Sequence, residues 1–327
     1  MRTAPLLLLT GCGTAGDLGP GTYDFLDWTV RAPPPPDGGF QFRSPVIELP
    51  AFVEAQLCHF DTYTGPDVGV TYMAQYTDAR VTHHAGPMAV FDDRYEDGLT
   101  IDCLRQGWDD MPVYAAMFGL VGTEMEGGEP PTGDISGGFN VVNLPEGVAF
   151  LLESGQRYTL DLHYVNYKDQ PVRTNTIYNF DAVPAEEVED FAGAVMFDAG
   201  PVYVPPGQYE QSFDCEWEES YNILSVMGHM HSYGARYVVE HIKTDGSSEI
   251  IYDDDDWTAA HAEWPDLYAF EPGELVVQPG DVFRTTCYWD NPTDEELIPF
   301  TEMCTTDMVV YPLEIPLTCI DGVYYDY

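Results

Sequence analysis

Basic residues are scarce in this chain. Its 327 residues include 12 Lys and Arg against 56 Asp and Glu, which gives a formal net charge of −44 at pH 7. Its lysines are Lys168 and Lys243. Without a basic patch to meet phosphates, nucleic-acid binding is excluded as a function. The acidity is more typical of a protein that stays soluble in a salty environment than of one with a specific cationic partner.

Long apolar runs and helical periodicity are also missing. No 18 consecutive apolar residues occur, so the sequence predicts no helix that spans a bilayer. The chain has 22 Tyr, 30 Gly and 26 Pro, and the Gly and Pro recur at short intervals. That mix favours short strands and turns. We therefore predict an all-β chain of two tandem antiparallel, jelly-roll-like β-sandwiches.

The N-terminus is typical of an exported protein. Residues 1–12 read MRTAPLLLLTGC and are similar to a bacterial lipoprotein signal in which Cys12 is lipidated. The alternative is a plain secretory signal. We predict a monomer in the cell envelope, touching a membrane only through a lipid on Cys12, most simply at the outer membrane, or else periplasmic or extracellular. Residues 13–45, with RAPPPPDGG, are predicted to form an extended tether.

Two β-domains are predicted to follow, at 46–185 and 186–327. The acidic segment 181–191, DAVPAEEVEDF, provides the boundary. Residues 154–166 (SGQRYTLDLHYVN) and 279–291 (PGDVFRTTCYWDN) also echo each other, each as a turn glycine followed by an alternating strand. The echo indicates two related domains, although a common turn-plus-strand pattern gives the same match by chance.

Seven cysteines occur, and none forms a CxxC pair. With Cys12 set aside for the lipid, six remain, and isolated cysteines in even number in an exported protein indicate disulfides. Six cysteines allow 15 connectivities, and their spacing does not choose among them.

Histidines form three groups that suit a metal. His229 and His231 are two residues apart, so on a strand their imidazoles share a face, and neutral imidazole binds Zn, Cu, Fe and Ni. The alternative is an ordinary pair of strand histidines. His83 and His84 are adjacent and would share one metal only where the backbone bends; otherwise one is buried and one faces solvent. His163 lies in an alternating strand and provides a third imidazole for the first site.

Met303, in PFTEMCTTDMVVY, is the candidate third ligand for His229 and His231. A thioether favours Cu(I), whereas an all-histidine set suits Zn equally well. The alternatives are that Met303 packs in the core or that Met308 is the ligand instead. The remaining histidines, His59, His241 and His261, are predicted to be structural or exposed, and DDDD at 253–256 is predicted to be a solvated hairpin tip.

The ordered set His-His, His in an alternating strand, His-x-His and Glu-Met-Cys resembles the copper type II ascorbate-dependent monooxygenases, the family of the peptidylglycine α-hydroxylating and dopamine β-monooxygenases. The resemblance covers roughly residues 50–320. It implies two β-sandwiches with a copper site in each, facing a cleft. It also implies ascorbate or a similar reductant, O2 and a small-molecule substrate.

The resemblance assigns ligands and disulfides. A first copper, which stores and transfers an electron, would be held by His83, His84 and His163. The catalytic copper, where the substrate C–H bond is attacked, would be held by His229, His231 and Met303. The implied disulfides are Cys58–Cys103, Cys215–Cys319 and Cys287–Cys304.

The substrate contacts of the peptide-amidating members are absent. Met227 stands where they have arginine, Thr305 and Asp307 where they have asparagine and tyrosine, and Asp161 where they have glutamine. A glycine-extended peptide is therefore not the expected substrate. Arg236 is a candidate anion contact, with a strand-edge arginine as the alternative.

Two other functions compete with a hydroxylase. A non-catalytic copper-binding lipoprotein fits intact ligands with lost substrate contacts. A zinc hydrolase built on His83, His84 and His163, with Asp161 as general base, leaves Met303 unexplained and ranks last.

Overall fold

The structure is a computed structural model. It describes residues 24–78, 80–91, 93–103, 114–117, 136–259, 261–262, 265–299 and 301–325. Across these residues the protein is built from β-strands, with one 3₁₀ turn at Ala185–Glu187, so the all-β prediction is confirmed. Within the same ranges no helix has the length and apolarity needed to cross a membrane.

Among the described residues, twelve strands precede residue 175. They are β1 (Leu26–Trp28), β2 (Phe40–Arg43), β3 (Ile47–Leu49), β4 (Val53–Thr62), β5 (Val68–Asp78), β6 (Thr82–Val90), β7 (Thr100–Asp102), β8 (Tyr114–Ala116), β9 (Ser136–Asn143), β10 (Val148–Leu152), β11 (Arg157–Asn166) and β12 (Val172–Thr174).

Twelve more strands follow among the described residues. They are β13 (Ile177–Pro184), β14 (Asp190–Asp198), β15 (Gly207–Glu216), β16 (Tyr221–His229), β17 (Gly234–Ile242), β18 (Ser248–Asp254), β19 (Leu267–Ala269), β20 (Val276–Val277), β21 (Val282–Asn291), β22 (Thr305–Tyr311), β23 (Leu317–Ile320) and β24 (Val323–Tyr325).

One long sheet runs through both halves of the chain, in the order β19-β16-β22-β14-β10-β5-β13-β2. The halves join where β10 pairs in parallel with β14, with Val148 opposite Asp190 and Phe150 opposite Ala192. A five-stranded sheet, β7-β4-β11-β6-β8, belongs to the first half, and a four-stranded sheet, β15-β21-β17-β18, belongs to the second. A small sheet, β1-β12-β3, completes the described part.

Each smaller sheet packs its apolar face on the long sheet. The first core cluster takes Leu160 and Leu162 from β11 and Phe150 and Phe180 from the long sheet. The second includes residues of β15, β17 and β21 and of the long sheet's β14, β16 and β22. Alternation of inward and outward side chains along each strand produces these cores. The split into domains at residue 185 stays a prediction.

The tether predicted for residues 13–45 is wrong in its last part. Strands β1 and β2 both lie inside it. The backbone N–H of Val30 donates to Asn175 Oδ1 at 2.8 Å, and Phe42 is a buried member of the first core. A proline run fixes an extended backbone that suits a tether or a sheet edge equally well, so its composition did not distinguish the two. Residues 13–23 lie outside the described part.

The sequence echo corresponds to a repeated structural unit. Gly155 and Gly280 both have positive φ, 88° and 87°. Their N–H groups donate to the carbonyls of Tyr63 and Trp217, at 2.8 Å in each case. Strands β11 and β21, ten residues each, follow two residues later. Each pairs along its whole length with the ten-residue strand β4 or β15.

The two units also end alike. Asn166 Nδ2 donates to the carbonyls of Pro50 and Gln170, and Asn166 Oδ1 accepts from the N–H of Lys168. Asn291 makes the matching set of bonds, to the carbonyls of Val204 and Glu295 and from the N–H of Thr293. Both asparagines are 1% exposed. The matched residues therefore hold the same strand end in both halves.

The three disulfides pair as the family resemblance implied. They are Cys58–Cys103, Cys215–Cys319 and Cys287–Cys304. Disulfides persist in oxidising compartments, so the pairing agrees with export. Cys12 and its expected lipid lie outside the described residues.

Candidate functional site

The backbone bends at the first histidine pair. On β6, His84 lies across from His163 and Thr82 lies across from Tyr164, so His83 is the extra residue of a β-bulge. A bulge interrupts alternation and redirects side chains, which is the bend that the adjacent histidines required. The side chain of His84 lies outside the described part.

His83 and His163 are brought together by this bulge. Their ring centroids are 4.7 Å apart, with the planes at 79°. An imidazole nitrogen about 2.0–2.1 Å from a metal puts the centroids of two rings on one tetrahedral ion about 5 Å apart. The observed separation is close to that value, so these two rings suit a shared ion.

A carboxylate orients His163. Its Nε2 lies 2.9 Å from Glu54 Oε1. A carboxylate at neutral pH only accepts, so the proton of the neutral ring is on Nε2 and the lone pair is on Nδ1. Carboxylate-oriented histidines of this kind are common around metals, because the outer bond fixes the tautomer and the ring plane.

The second half contains the same bulge without histidines. On β17, Arg236 lies across from Tyr288 and Gly234 lies across from Trp289, which leaves Ala235 as the extra residue. The register therefore matches Ala235 to His83, Arg236 to His84 and Tyr288 to His163. The bulged fold does not need imidazoles at these positions.

His229 and His231 share a face, as their spacing predicted. Their ring centroids are 5.2 Å apart, with the planes at 84°. Met230, between the two histidines in sequence, is 0% exposed in the second core. Gly228, just before His229, lies against Tyr237. A Cβ on Gly228 would come within 2.5 Å of that ring. Gly228 and Met230 therefore face the second core, and the alternation of side chains directs His229 and His231 to the opposite face.

The surroundings of His229 and His231 determine which ring nitrogens have a lone pair. Burial, with a smaller effect of a charge on His231, lowers the pKa of His229 to about 4. His231 Nδ1 lies 3.0 Å from the Thr301 carbonyl oxygen. A carbonyl only accepts, so the neutral ring has its proton on Nδ1 and its lone pair on Nε2. The lone pair on Nε2 of the neutral His231 ring and the low pKa of His229 are the properties that a metal ligand needs.

Glu302 fixes the loop that holds His231. Its carboxylate accepts from the backbone N–H of His231 at 3.0 Å and of Tyr233 at 2.7 Å. It also accepts from Trp289 Nε1 at 3.0 Å. Glu302 is 1% exposed, and burial raises its pKa while these bonds oppose the shift. Sequence reasoning used Glu302 only as part of Glu-Met-Cys and missed this bracing role.

Met303 directly follows two residues that contact His231. Thr301 precedes it with the carbonyl at Nδ1, and Glu302 holds the His231 backbone. Met303 is half-buried, whereas Met308 is 2% exposed inside the second core. Of the two methionines, Met303 is the one whose backbone adjoins the histidine pair.

Three of the four positions that differ from the peptide-amidating enzymes, Met227, Thr305 and Asp307, lie on the same face as His229. Met227 lies across from Asp307, and His229 lies across from Thr305. Thr305 Oγ1 donates to Asp198 Oδ2 at 2.8 Å. Burial, followed by the charge of Asp198, raises the pKa of Asp307 to about 7. This face therefore has a thioether and acidic groups. Met227 stands where the peptide-amidating enzymes have an arginine.

Two other candidates are already engaged. Arg236 makes two hydrogen bonds to the carboxylate of Asp253, at 2.9 and 2.7 Å, which agrees with the structural alternative for that arginine. Asp161 accepts from Gln56 Nε2 at both carboxylate oxygens. Burial raises the pKa of Asp161 to about 6.

The acidic run 253–256 is not a hairpin tip. Asp253 and Asp254 are the last residues of β18, and Asp254 is 4% exposed. The tip of the β17–β18 hairpin is residues 243–247. Asp254, Asp256 and His261 instead form a cluster in which one possible ligand atom from each lies within 4.8 Å of the others. The Asp-x-Asp spacing within the run was the available signal for it.

No protein-family model matches this chain, and no curated protein matches it. Among solved structures it is similar to the major capsid protein P2 of bacteriophage PM2, at 12% identity and a TM-score of 0.32, over 84% of this chain and 98% of that one. It is also similar to a Sulfolobus turreted icosahedral virus structure, at 8% identity and a TM-score of 0.22, over 84% and 60% of the chains. A third similar structure, of infectious bursal disease virus, has 11% identity and a TM-score of 0.21. The match covers 84% of this chain and 58% of that one. Likenesses this low support no conclusion about fold or function.

Proposed function

We propose that the chain is an exported, copper-dependent monooxygenase that hydroxylates a C–H bond of a small molecule with O2 and an ascorbate-like reductant. The observation that carries the proposal is the bulge present in both halves. The second half fills its three positions with Ala235, Arg236 and Tyr288. Histidines at the matching positions of the first half are therefore dispensable for the fold, and metal binding is the function that explains them.

The donor sets suit copper. His83, His84 and His163 would hold one ion, and His229, His231 and Met303 would hold the other. An all-imidazole set accepts both Cu(II) and Cu(I), and a thioether favours Cu(I). Bound copper would supply one-electron redox chemistry and the activation of O2.

The protein's own groups prepare the second set. The Thr301 carbonyl holds the Nδ1 proton of His231, which leaves Nε2 for the ion. Burial keeps His229 uncharged. Glu302 fixes the His231 backbone through its N–H. These contacts orient the ligands before the ion arrives, so binding costs little rearrangement.

The face beside this set argues against a glycine-extended peptide as substrate. Met227 and Asp307 face each other across β16 and β22, so an anionic terminus meets a carboxylate and no cation. The same loss of substrate contacts favours a second candidate, a copper-binding protein that stores or delivers the metal without catalysis.

Copper stoichiometry with ascorbate-driven O2 consumption in the same sample tests the proposal. We expect two coppers per chain, and one in His163→Ala. Tyr288→Ala, at the matching position of the second half, is the control and is expected to keep both. O2 uptake supports the monooxygenase. Two coppers with no uptake across a broad substrate set favours storage, and copper binding unchanged in His163→Ala contradicts both.

We also propose that Cys12 carries the lipid that anchors the protein to the cell envelope. The support is the signal-like residues 1–12 together with six other cysteines that are all in disulfides. Replacement Cys12→Ser is expected to release the protein from the membrane fraction. Retention there contradicts the anchor.

A further inference from the structure

We propose that Asp254, Asp256 and His261 form a third metal site, for a divalent cation of the zinc type, at the end of β18. This site is separate from the histidine sets above and does not rest on the copper proposal. One candidate ligand atom from each residue lies within 4.8 Å of the other two. Asp254 is buried, His261 is half-buried and Asp256 is exposed, so the cluster has a closed floor and an open side through which an ion enters.

Asp254 supplies the second observation. Its Oδ2 lies 2.7 Å from His261 Nδ1. Its Oδ1 is also buried, and among the described residues it has no hydrogen-bond partner. A buried carboxylate oxygen without a donor carries a large desolvation cost, because nothing replaces the water it has lost. A cation coordinated by the same carboxylate removes that cost.

The surrounding charge also favours a cation over a basic side chain. Arg236 forms a salt bridge with Asp253, and the negative charge of Asp266 repels that of Asp254. The chain as a whole has 12 basic residues against 56 acidic ones. A small ion from solution neutralises such a cluster where the chain supplies few positive groups of its own.

The donor types select the ion. Two carboxylates and one imidazole match Zn²⁺, with water completing a tetrahedral set. The absence of a thiol or thioether from this cluster disfavours Cu(I). Zinc bonds of about 2.0–2.2 Å bring ligand atoms to roughly 3.3 Å from one another. Asp254 Oδ2 and His261 Nδ1 already lie within that spacing, at 2.7 Å, and Asp256 lies within 4.8 Å of both residues.

The site would brace the loop that carries His231. Trp257 lies between Asp256 and His261 in sequence, and its ring centroid is 5.8 Å from that of His261. Trp257 Nε1 donates to the His231 carbonyl at 3.1 Å. A Cβ on Gly234 would meet the Trp257 ring at 2.7 Å, so the two are tightly packed. An ion at the cluster would therefore hold Trp257, and through it His231.

Zinc stoichiometry on the full chain tests this proposal. The protein is stripped with a chelator, given Zn²⁺ alone, passed through gel filtration and analysed for zinc per chain. We expect Asp256→Asn and His261→Gln each to bind one zinc fewer than the unaltered protein. Asp255→Asn is the matched control, because it removes the same charge from an exposed neighbour outside the cluster. Zinc taken by the other histidines adds equally to every sample and cancels.

Thermal unfolding supplies the second readout. Zn²⁺ is expected to raise the Tm of the unaltered protein and of Asp255→Asn by more than it raises the Tm of Asp256→Asn. Equal zinc counts and equal Tm shifts in all four proteins overturn the site. A loss in Asp255→Asn as large as in Asp256→Asn also overturns it, because binding would then follow net charge. His163→Ala is expected to lose copper and keep this zinc, which separates the two proposals.

Discussion

Strands β4, β11 and β6 in the first half correspond to β15, β21 and β17 in the second, with the same registers and a bulge at the same place. The side chains at that bulge differ completely. The first half has His83 beside His163. The second half has Arg236, which is bound to Asp253 and lies 5.9 Å from the ring of Tyr288. One backbone thus supports a cluster of imidazoles in one copy and a structural ion pair in the other.

The difference separates what the fold requires from what a function requires. The turn glycines and the strand-end asparagines occur in both copies with the same bonds. They are therefore part of the scaffold. The imidazoles occur in one copy, so packing of the scaffold does not explain them.

The largest expected effect comes from removing one metal set at a time. His163→Ala should lower turnover by more than about 100-fold and remove one copper, because the ion loses a ligand that Glu54 orients. The measurement is steady-state O2 uptake with copper analysis. Tyr288→Ala at the matching position should leave both values unchanged, and an equal loss there would abolish the distinction between the halves.

Met303→Ile should break the other set. The substitution keeps an apolar side chain and removes the thioether, so turnover should fall by more than about 100-fold while the first copper remains. O2 uptake measures the loss of turnover, and copper analysis shows whether the first copper remains. Unchanged turnover would show that Met303 packs without binding the metal.

The strand-end asparagines should show how alike the halves are in stability. Asn166→Ala removes three hydrogen bonds, and Asn291→Ala removes the matching three and a fourth from Thr293 Oγ1. Both residues are 1% exposed. Each should cost about 2–3 kcal/mol in the free energy of unfolding. Urea titration measures both. Costs that differ by more than about 2 kcal/mol would show that the repeated unit is not energetically equivalent.

The raised pKa of Asp307 in the second half predicts a pH dependence of stability. Burial raises the pKa of Asp307 in the folded state to about 7, well above the ordinary value for an aspartate. Between the two pKa values the folded state therefore keeps a proton that the unfolded state has lost. The folded state is therefore favoured at low pH, and this advantage disappears as pH rises through about 7. Asp307→Asn should stabilise the protein at pH 8 by on the order of 2 kcal/mol and have little effect at pH 4. Urea titrations at both pH values check this, and an equal effect at both would contradict it.

The turn glycines should give the smallest effect. Gly155→Ala and Gly280→Ala place a side chain at a φ of 88° or 87°, which costs about 1 kcal/mol. A Cβ on Gly155 meets no atom within 4 Å, whereas one on Gly280 lies 2.9 Å from Thr244 Cγ2. The second variant should be the less stable one by thermal unfolding. The reverse order would contradict the close packing of Thr244.

Local patterns predicted much of this architecture. The turn glycine, alternating strand and final asparagine identified the repeated unit, because each has a local physical role. The difference between His163 and Tyr288 was also visible in that alignment. The HxH spacing placed two imidazoles on one face because strand alternation is fixed.

Long-range pairing was not predictable in the same way. Nothing local to Ala235 signals a bulge, since the bulge depends on its register with β21. The burial of Asp254 depends on its position at the end of β18, so the acidic run gave the wrong impression of an exposed tip. The proline run before β2 describes a backbone shape and does not specify its neighbours.

The parallel pairing of β10 with β14 has a consequence for separating the halves. A chain cut at residue 185 would leave the N–H and C=O groups of β10 without the partners that Asp190, Phe191 and Ala192 provide. It would also uncover the side of the first core that Ala192, Leu224 and Val309 close. Unpaired strand edges recruit other chains. A fragment ending there is therefore expected to aggregate, although it contains a complete copy of the repeated unit.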